Sequence, residues 1–166
     1  MHASAFSTAE LCDRFGSQAQ VCRAPLKSYG GRQVAWGTID CMRCVEDAAL
    51  LRTLLAQPGE GRILVVDGGG STRAAVLGGR MGRLGMDQGW TGVIVHGAVR
   101  DVDTLRTLDL AVLALGHVPV RGGKTGLGEH GVDLPFGEAS FVPGAFVCLD
   151  GDGVVVLAEP PAAHRS

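Results

Sequence analysis

The residues best suited to chemistry stand where two apolar runs of the chain give way to glycine-rich turns. Residues 63–66 are followed by Asp67 and three glycines, and residues 93–95 are followed, after a short spacer, by Arg100 and Asp101. In open α/β sheets, ligands bind outside the carboxyl ends of the strands, where loops gather and helices begin. We therefore expect the functional site in this part of the chain.

The pair Arg100 and Asp101 is the most informative of these residues. An arginine binds a carboxylate through a rigid two-pronged fork, and an aspartate is a natural ligand for a hard cation such as Mg²⁺. Side by side, a bound cation and a guanidinium group would form a cradle for a 2-oxo acid. An aspartate at the start of a helix is also a common N-cap, so a purely structural role for Asp101 stays open.

Two glycines, Gly78 and Gly79, interrupt a helical pattern between the two turns and are followed by Arg80 and Met81. A glycine inside a helix costs about 1 kcal/mol relative to alanine, so some benefit must offset this cost. One interpretation is that a helix restarts at Gly79 and presents free backbone N–H groups to an anionic ligand. The other interpretation is close packing of this helix against a neighbouring element.

The turn that begins at Asp67 is glycine-rich but does not match a known nucleotide-binding motif. No GK[ST] sequence follows it, and Arg73 stands where a dinucleotide-binding motif would have its last glycine. We interpret it as a tight turn in which Ser71 caps a following helix.

Three further motifs favour structural roles. Cys41 and Cys44 form a lone CxxC without the second pair that a structural zinc site would need. His96 at a strand end is more typical of a hydrogen-bonded, partly buried imidazole than of a base. The DGDG sequence of residues 150–153 lacks the glutamate of an EF-hand and is typical of a hairpin turn.

Length and composition limit the class of protein. The chain has 166 residues, 46% of them hydrophobic, which suits one globular domain that needs no disulfides. A net charge of −2 does not favour a broad nucleic-acid surface. Five cysteines, no apolar leader segment and no apolar run long enough for a bilayer lead us to expect a cytoplasmic protein without membrane contact.

The elements that must position these residues form an α/β pattern, with most helices in the first two thirds and short strands in the last third. This predicts one compact α/β domain with two sheet layers and flanking helices, a core at residues 7–157 and a flexible tail at 158–166. Residues 121–131, rich in glycine, are expected to form a mobile surface loop. The predicted helices are 8–15, 46–56, 72–77 resuming from 81 to 89, and one opened by Asp101; the predicted strands are 20–22, 33–39, 63–66, 93–95, 111–115, 118–120, 132–134, 140–142, 145–149 and 154–157.

The sequences ILVVDGGGS, GWTGVIVHGAVRDVDTLRTLDLAVLALG and DGDGVVV resemble the RraA-like family over most of the chain. This family includes regulators of ribonuclease activity, class II 4-hydroxy-4-methyl-2-oxoglutarate aldolases and some proteins labelled as demethylmenaquinone methyltransferases. The resemblance implies a fold similar to a swivelling β/β/α domain, assembled as a ring-shaped homotrimer.

The resemblance also implies a chemistry. In aldolase-like members, the arginine at the position of Arg100 binds substrate and the aspartate at the position of Asp101 holds a divalent metal, Mg²⁺ or Mn²⁺. The turn that matches Gly78, Gly79, Arg80 and Met81 supplies further substrate contacts. A protein of this kind would cleave 4-hydroxy-4-methyl-2-oxoglutarate to pyruvate and would decarboxylate oxaloacetate, since both reactions develop negative charge on the same oxo oxygen.

One position departs from the aldolase pattern and keeps a second function open. Aldolase-like members usually carry an aspartate or glutamate where this chain has Gly79. An acid from a neighbouring subunit, such as Glu129 or Glu138, could replace it. The alternative is a non-catalytic trimeric regulator that binds and inhibits a ribonuclease of the RNase E type; methyl transfer is disfavoured, because no cofactor loop is evident.

Overall fold

A curled, mixed sheet of ten strands forms the centre of the fold in a computed structural model that describes residues 5–162. The α/β class expected from the sequence is confirmed. The helices are α1 Thr8–Phe15, α2 Ala49–Leu55, α3 Gly79–Asp87 and α4 Val102–Leu105, and the strands are β1 Gln20–Val21, β2 Lys27–Ser28, β3 Ala35–Arg43, β4 Ile63–Asp67, β5 Ala75–Leu77, β6 Gly92–Val99, β7 Ala111–His117, β8 Glu129–His130, β9 Leu134–Phe136, β10 Ala139–Phe141, β11 Phe146–Asp150 and β12 Gly153–Leu157.

Strand β3 joins two arms of the sheet. Its first half pairs antiparallel with β11, in an arm that continues to β12 and β1. Its second half pairs parallel with β4, and that arm continues through β6 and β7 to β2. The two predicted layers are therefore the arms of one continuous sheet, accompanied by a separate β9–β10 hairpin.

Alternating side chains of the parallel arm fill two different cores, as the period of two in a strand requires. Ile63 and Val65 of β4 face the antiparallel arm and the β9–β10 hairpin. Leu64 and Val66 face the opposite way and pack with apolar residues of α2, α3 and α4. A third, smaller core lies between α1 and the antiparallel arm. Because both faces of the parallel arm are buried, its ligand-binding potential is restricted to the strand ends.

The sequence predicts some elements correctly and misplaces others. The predicted helix 8–15 is confirmed, with the Ser7 hydroxyl accepting a hydrogen bond from the Glu10 N–H as its cap. The predicted helix 72–77 is wrong: its last three residues form β5, which pairs parallel with β6 and is fully buried. No helix therefore follows Ser71, whose hydroxyl contacts Glu46 instead.

Other differences are smaller. Helix α2 begins at Ala49 rather than at Glu46, because Glu46 has a left-handed φ of 52°. Residues 118–120 form no strand, although the Val118 N–H donates to the Val99 carbonyl and the Ala75 N–H donates to the Val120 carbonyl.

The glycine-rich loop of residues 121–131 is exposed but anchored to the sheet. The buried carboxylate of Asp47 accepts hydrogen bonds from the N–H and hydroxyl groups of Thr125 and from the N–H of Gly126. At the other end of the loop, β8 pairs with β3. The loop that the sequence predicts at the surface is therefore attached to the rest of the fold at two points. In the described part of the chain, no helix is long and apolar enough to cross a membrane.

Candidate active site between the first residues of two helices

Two parallel strands bring the predicted site residues together. Strand β5 ends at Leu77 and is followed by α3, while its neighbour β6 ends at Val99 and is followed by α4. The Arg100 N–H donates to the Leu77 carbonyl at 2.9 Å, which extends the pairing one residue past the strands. The glycine pair and the Arg100–Asp101 pair therefore lie side by side, although about twenty residues separate them in sequence.

The carboxylate of Asp101 caps the neighbouring helix rather than its own. Its Oδ2 accepts a hydrogen bond from the Gly79 N–H at 2.9 Å, at the first residue of α3. Asp101 precedes α4 but makes no side-chain cap contact there, and its backbone is left-handed with φ 57° and ψ 46°. Aspartate tolerates this region better than most residues. This conformation turns the carboxylate towards α3, so the simple N-cap interpretation of Asp101 is wrong.

A helix does begin at Gly79, but it follows strand β5 rather than an earlier helix, and its first N–H donates to Asp101 instead of lying free. Close packing at both glycines is confirmed. A Cβ atom on Gly78 would lie 2.9 Å from Asp101 Oδ2, and a Cβ atom on Gly79 would lie 2.8 Å from the Thr104 methyl group. Neither separation occurs for ordinary side chains, so a larger residue at position 79 requires Thr104 to move. Gly79, where aldolase-like members usually carry an acid, therefore lies against the methyl group of Thr104 on α4.

A cleft of about 530 Å³ opens beside this contact. It is lined by residues of α3 and of the α4 start: Gly79, Arg80, Arg83, Leu84, Asp87, Asp101 and Thr104. Arg100 is half-buried, with its side chain beside Gly78 at the edge of the cleft. The side chain of Met81 instead packs against the core, so only its backbone can serve the site.

Sequence reasoning missed Arg83, Asp87 and Thr104 as cleft residues. A signal was present, because residues three and four apart on a helix share a face. Counting from Arg80 along α3 reaches Arg83 and then Asp87. The register of α4 against α3, which brings in Thr104, has no comparable signal in the sequence.

The donor set of the cleft fits a hard cation but not a zinc-type site. Across residues 5–162, no three His, Cys, Asp or Glu side chains are grouped closely enough to hold one ion. Mg²⁺ needs fewer protein ligands, because it keeps several waters and shares oxygens with its substrate. Asp101 suits this mode: Oδ2 is held by Gly79, and no hydrogen bond to Oδ1 occurs in the described structure.

The glycine-rich turn after Asp67 has a structural role rather than a ligand-binding one. The N–H groups of Gly68 and Gly70 both donate to the His96 carbonyl, and the Gly69 N–H donates to Asp67 Oδ1. With these donors used internally, the turn cannot cradle a phosphate group. His96 is likewise satisfied: its Nδ1 lies 3.3 Å from Asp67 Oδ1 and its ring stacks on Phe136.

The remaining candidates from the sequence lie outside the cleft. Cys41 and Cys44 are buried free thiols, and burial raises the pKa of each to about 12, so both stay protonated. Glu129 pairs with Arg43 at 3.7 Å, and Glu138 sits in the turn between β9 and β10. Neither glutamate lines the cleft of its own chain.

These features define an α/β protein with a cleft at the carboxyl ends of two parallel strands, lined by Asp101, Asp87 and two arginines, with Arg100 at its edge. Residues 8–156 match the model of the RraA-like family, described as Aldolase/RraA, and the chain belongs to that family. A curated relative from Aromatoleum aromaticum, named "Putative 4-hydroxy-4-methyl-2-oxoglutarate aldolase", is 44% identical over 151 residues, which cover 91% of this chain and 95% of the relative.

Two solved structures are also similar over nearly their whole length. The RNA-processing inhibitor RraA from Thermus thermophilis is 41% identical with a TM-score of 0.92, over 100% of this chain and 99% of that one. A protein from Geobacillus kaustophilus, titled as an S-adenosylmethionine:2-dimethylmenaquinone methyltransferase, is 40% identical with a TM-score of 0.93, over 97% of this chain and 100% of that one. The three names differ in function, so family membership alone does not select one.

Proposed function

We propose that the protein is a divalent-metal-dependent lyase that breaks a carbon–carbon bond near the oxo group of a small 2-oxo acid. The proposed reactions are cleavage of 4-hydroxy-4-methyl-2-oxoglutarate to two pyruvate molecules and decarboxylation of oxaloacetate to pyruvate and CO₂. The observation that carries the proposal is the Asp101 carboxylate, fixed by the Gly79 N–H at the start of α3 and flanked by Arg100. The name of the Aromatoleum aromaticum relative supports the first reaction.

In this proposal Asp101 holds the cation, Mg²⁺ or Mn²⁺. The Gly79 N–H occupies one carboxylate oxygen and fixes the orientation of the group, which leaves the other oxygen for the metal. A bound cation would supply Lewis-acid stabilisation of the negative charge that develops on the oxo oxygen as the bond breaks. The left-handed backbone of Asp101 is an unusual conformation of the kind that clusters at functional sites.

The substrate carboxylate next to the oxo group is assigned to Arg100. No ion pair of Arg100 is present within residues 5–162, so its guanidinium group is available for a bidentate contact. Arg80, one residue into α3, adds a second positive charge at the cleft, and residues 78–81 supply backbone contacts. Together these groups bind and orient a 2-oxo acid beside Asp101.

The two reactions place different demands on this chain. Cleavage of the aldol substrate needs a base for its hydroxyl proton, whereas decarboxylation releases CO₂ without one. Position 79 has no acid, and Asp87 lies about 12 Å further along α3 at a rise of about 1.5 Å per residue. We therefore expect oxaloacetate decarboxylation to be the faster reaction, and aldol cleavage to depend on Glu129 or Glu138 from a neighbouring copy in a homotrimer.

A non-catalytic regulator is the second candidate. The packing of Thr104 against Gly79 supports it, because that contact removes room for the usual acid. The resemblance to an RNA-processing inhibitor is consistent with it. Methyl transfer is not proposed, because the donors of the Asp67 turn are occupied and offer nothing to a cofactor.

Pyruvate release is the direct test of the lyase. Purified protein should release pyruvate from oxaloacetate above the rate given by the metal ion alone, and EDTA should abolish the increment. An absence of metal-dependent turnover at protein concentrations suited to a slow enzyme would refute the lyase. Specific capture of a ribonuclease by both the wild type and Asp101→Asn would then support the regulator.

A further inference from the structure

The outer part of the cleft carries an arginine that the proposed function does not use. Arg83 lies three residues after Arg80 on α3, so both side chains leave the same face of the helix. Both are exposed, and both line the cleft together with Asp101. Arg83 is therefore in a position to meet a ligand that extends away from Asp101.

Arg83 has no carboxylate partner within the described structure. Ion pairs to aspartate or glutamate involve Arg32, Arg43, Arg62, Arg73 and Arg106, but not Arg80, Arg83 or Arg100. Asp87 shares the cleft with Arg83, yet the two do not pair among residues 5–162. Arg80 and Arg83 in the cleft and Arg100 at its edge thus outnumber the carboxylates of Asp87 and Asp101. A cation at Asp101 would make the cleft still more attractive to anions.

The position of Arg83 matches the length of a small diacid. At a rise of about 1.5 Å per residue, the Arg83 backbone lies about 6 Å along α3 from Gly79, which contacts Asp101. Carbon–carbon bonds of about 1.5 Å place the two carboxyl carbons of a four- or five-carbon diacid roughly 4–5 Å apart. A diacid held by its first carboxylate at Arg100 would therefore present its second carboxylate within reach of the long Arg83 side chain.

We infer that Arg83 binds the second carboxylate of the substrate and thereby selects oxo diacids over oxo monoacids. The inference rests on the proposed function for the position of the first carboxylate. In aldol cleavage the second carboxylate is retained in one pyruvate product. In oxaloacetate decarboxylation it is the group that departs: the bond to it breaks, its electron pair moves towards the oxo group, and neutral CO₂ leaves. A proton from water then converts the resulting enolate to pyruvate.

Equilibrium binding tests the inference without turnover. 2-Oxoglutarate and 2-oxopentanoate have the same chain length and differ in the second carboxylate, and neither carries the hydroxyl group that aldol cleavage requires. With Mg²⁺ present, calorimetry should show the wild type binding the diacid at least tenfold more tightly, because a charge-assisted hydrogen bond changes a binding constant roughly 10- to 100-fold. Arg83→Gln should remove this preference, and Arg83→Lys should restore part of it.

Arg52→Gln is the matched control, since Arg52 is exposed on α2, forms no ion pair within residues 5–162 and does not line the cleft. It makes the same charge change and should leave the diacid preference intact. An unchanged preference in Arg83→Gln, or an equal loss in Arg52→Gln, would overturn the inference.

Oxaloacetate kinetics separate this inference from the proposed function. The contact to the departing carboxylate exists in the ground state and is lost as CO₂ forms, so Arg83→Gln should raise KM about tenfold without lowering kcat. Turnover by the wild type with an unchanged KM in Arg83→Gln would refute the role of Arg83 and leave the lyase standing. A diacid preference that depends on Arg83 in a protein without turnover would support the subsite and refute the lyase.

Discussion

Replacing Asp101 separates its two roles, the cap of α3 and the proposed metal ligand. Asp101→Asn keeps an oxygen that can accept from the Gly79 N–H, and asparagine also tolerates the left-handed backbone. Asp101→Ala loses both. Loss of a cap costs about 1 kcal/mol, and a left-handed residue other than glycine, asparagine or aspartate costs roughly 1 kcal/mol more.

The sum for Asp101→Ala is about 2 kcal/mol, which for a chain of this size lowers the melting temperature by roughly 4–8 °C. Asp101→Asn should melt within about 2 °C of the wild type and still lose metal-dependent pyruvate release by more than about 100-fold, because a neutral amide is a poor ligand for Mg²⁺. Thermal melts and pyruvate release from oxaloacetate, measured on the same preparations, provide both readouts.

Asp103→Asn is the matched control. Asp103 lies two residues further along, carries the same charge and pairs only with the exposed Arg106 among the described residues. It should change neither readout. Full activity in Asp101→Asn would contradict the assignment of the metal, and a wild-type melting temperature in Asp101→Ala would contradict the cap.

Three further predictions concern other contacts. Gly79→Asp alone should destabilise the protein, because its Cβ would lie 2.8 Å from the Thr104 methyl, whereas Gly79→Asp with Thr104→Ala should melt higher than the single variant and increase aldol cleavage relative to decarboxylation. Burial opposes ionisation of Asp47, but hydrogen bonds from Thr125 and nearby N–H groups lower its pKa overall. Its contribution to stability is then present above an unfolded pKa of about 3.9 and is lost as pH falls through the lower folded value. Asp47→Asn should therefore melt lower than the wild type at pH 7, and the difference should shrink as the pH falls below the unfolded pKa. Burial raises the pKa of the Cys44 thiol to about 12. Cys44 should therefore resist iodoacetamide at pH 8 in the native protein, and rapid alkylation would contradict its protonated, buried state.

The sequence indicated the elements whose patterns are local. The Ser7 cap and the apolar spacing of residues 8–15 predicted α1 to the residue, and the short apolar runs predicted most of the strands. Strand β5 was missed because three apolar residues between a polar turn and a glycine pair are equally compatible with a helix start. Only its pairing with β6 makes it a strand, and pairing partners are not encoded in periodicity.

The site was predictable in its residues but not in its contacts. Arg100 and Asp101 stood out by type and position, and the glycine pair stood out by its cost in a helix. That Asp101 caps α3, and that Thr104 fills the space at position 79, follows from the adjacency of β5 and β6 and from the rotation of α4. Both contacts join segments that are distant in the sequence, so the pattern of neither segment alone predicts them.

The central claim is that Asp101 holds a divalent cation beside a bound oxo acid. Crystals soaked with Mn²⁺ and oxalate, which resembles the planar enolate form of pyruvate, test it most directly. We expect anomalous density about 2.1 Å from Asp101, with the oxalate carboxylate against Arg100, and no such density in crystals of Asp101→Asn. Anomalous density elsewhere in the wild type, or density at this position that persists in Asp101→Asn, would contradict it.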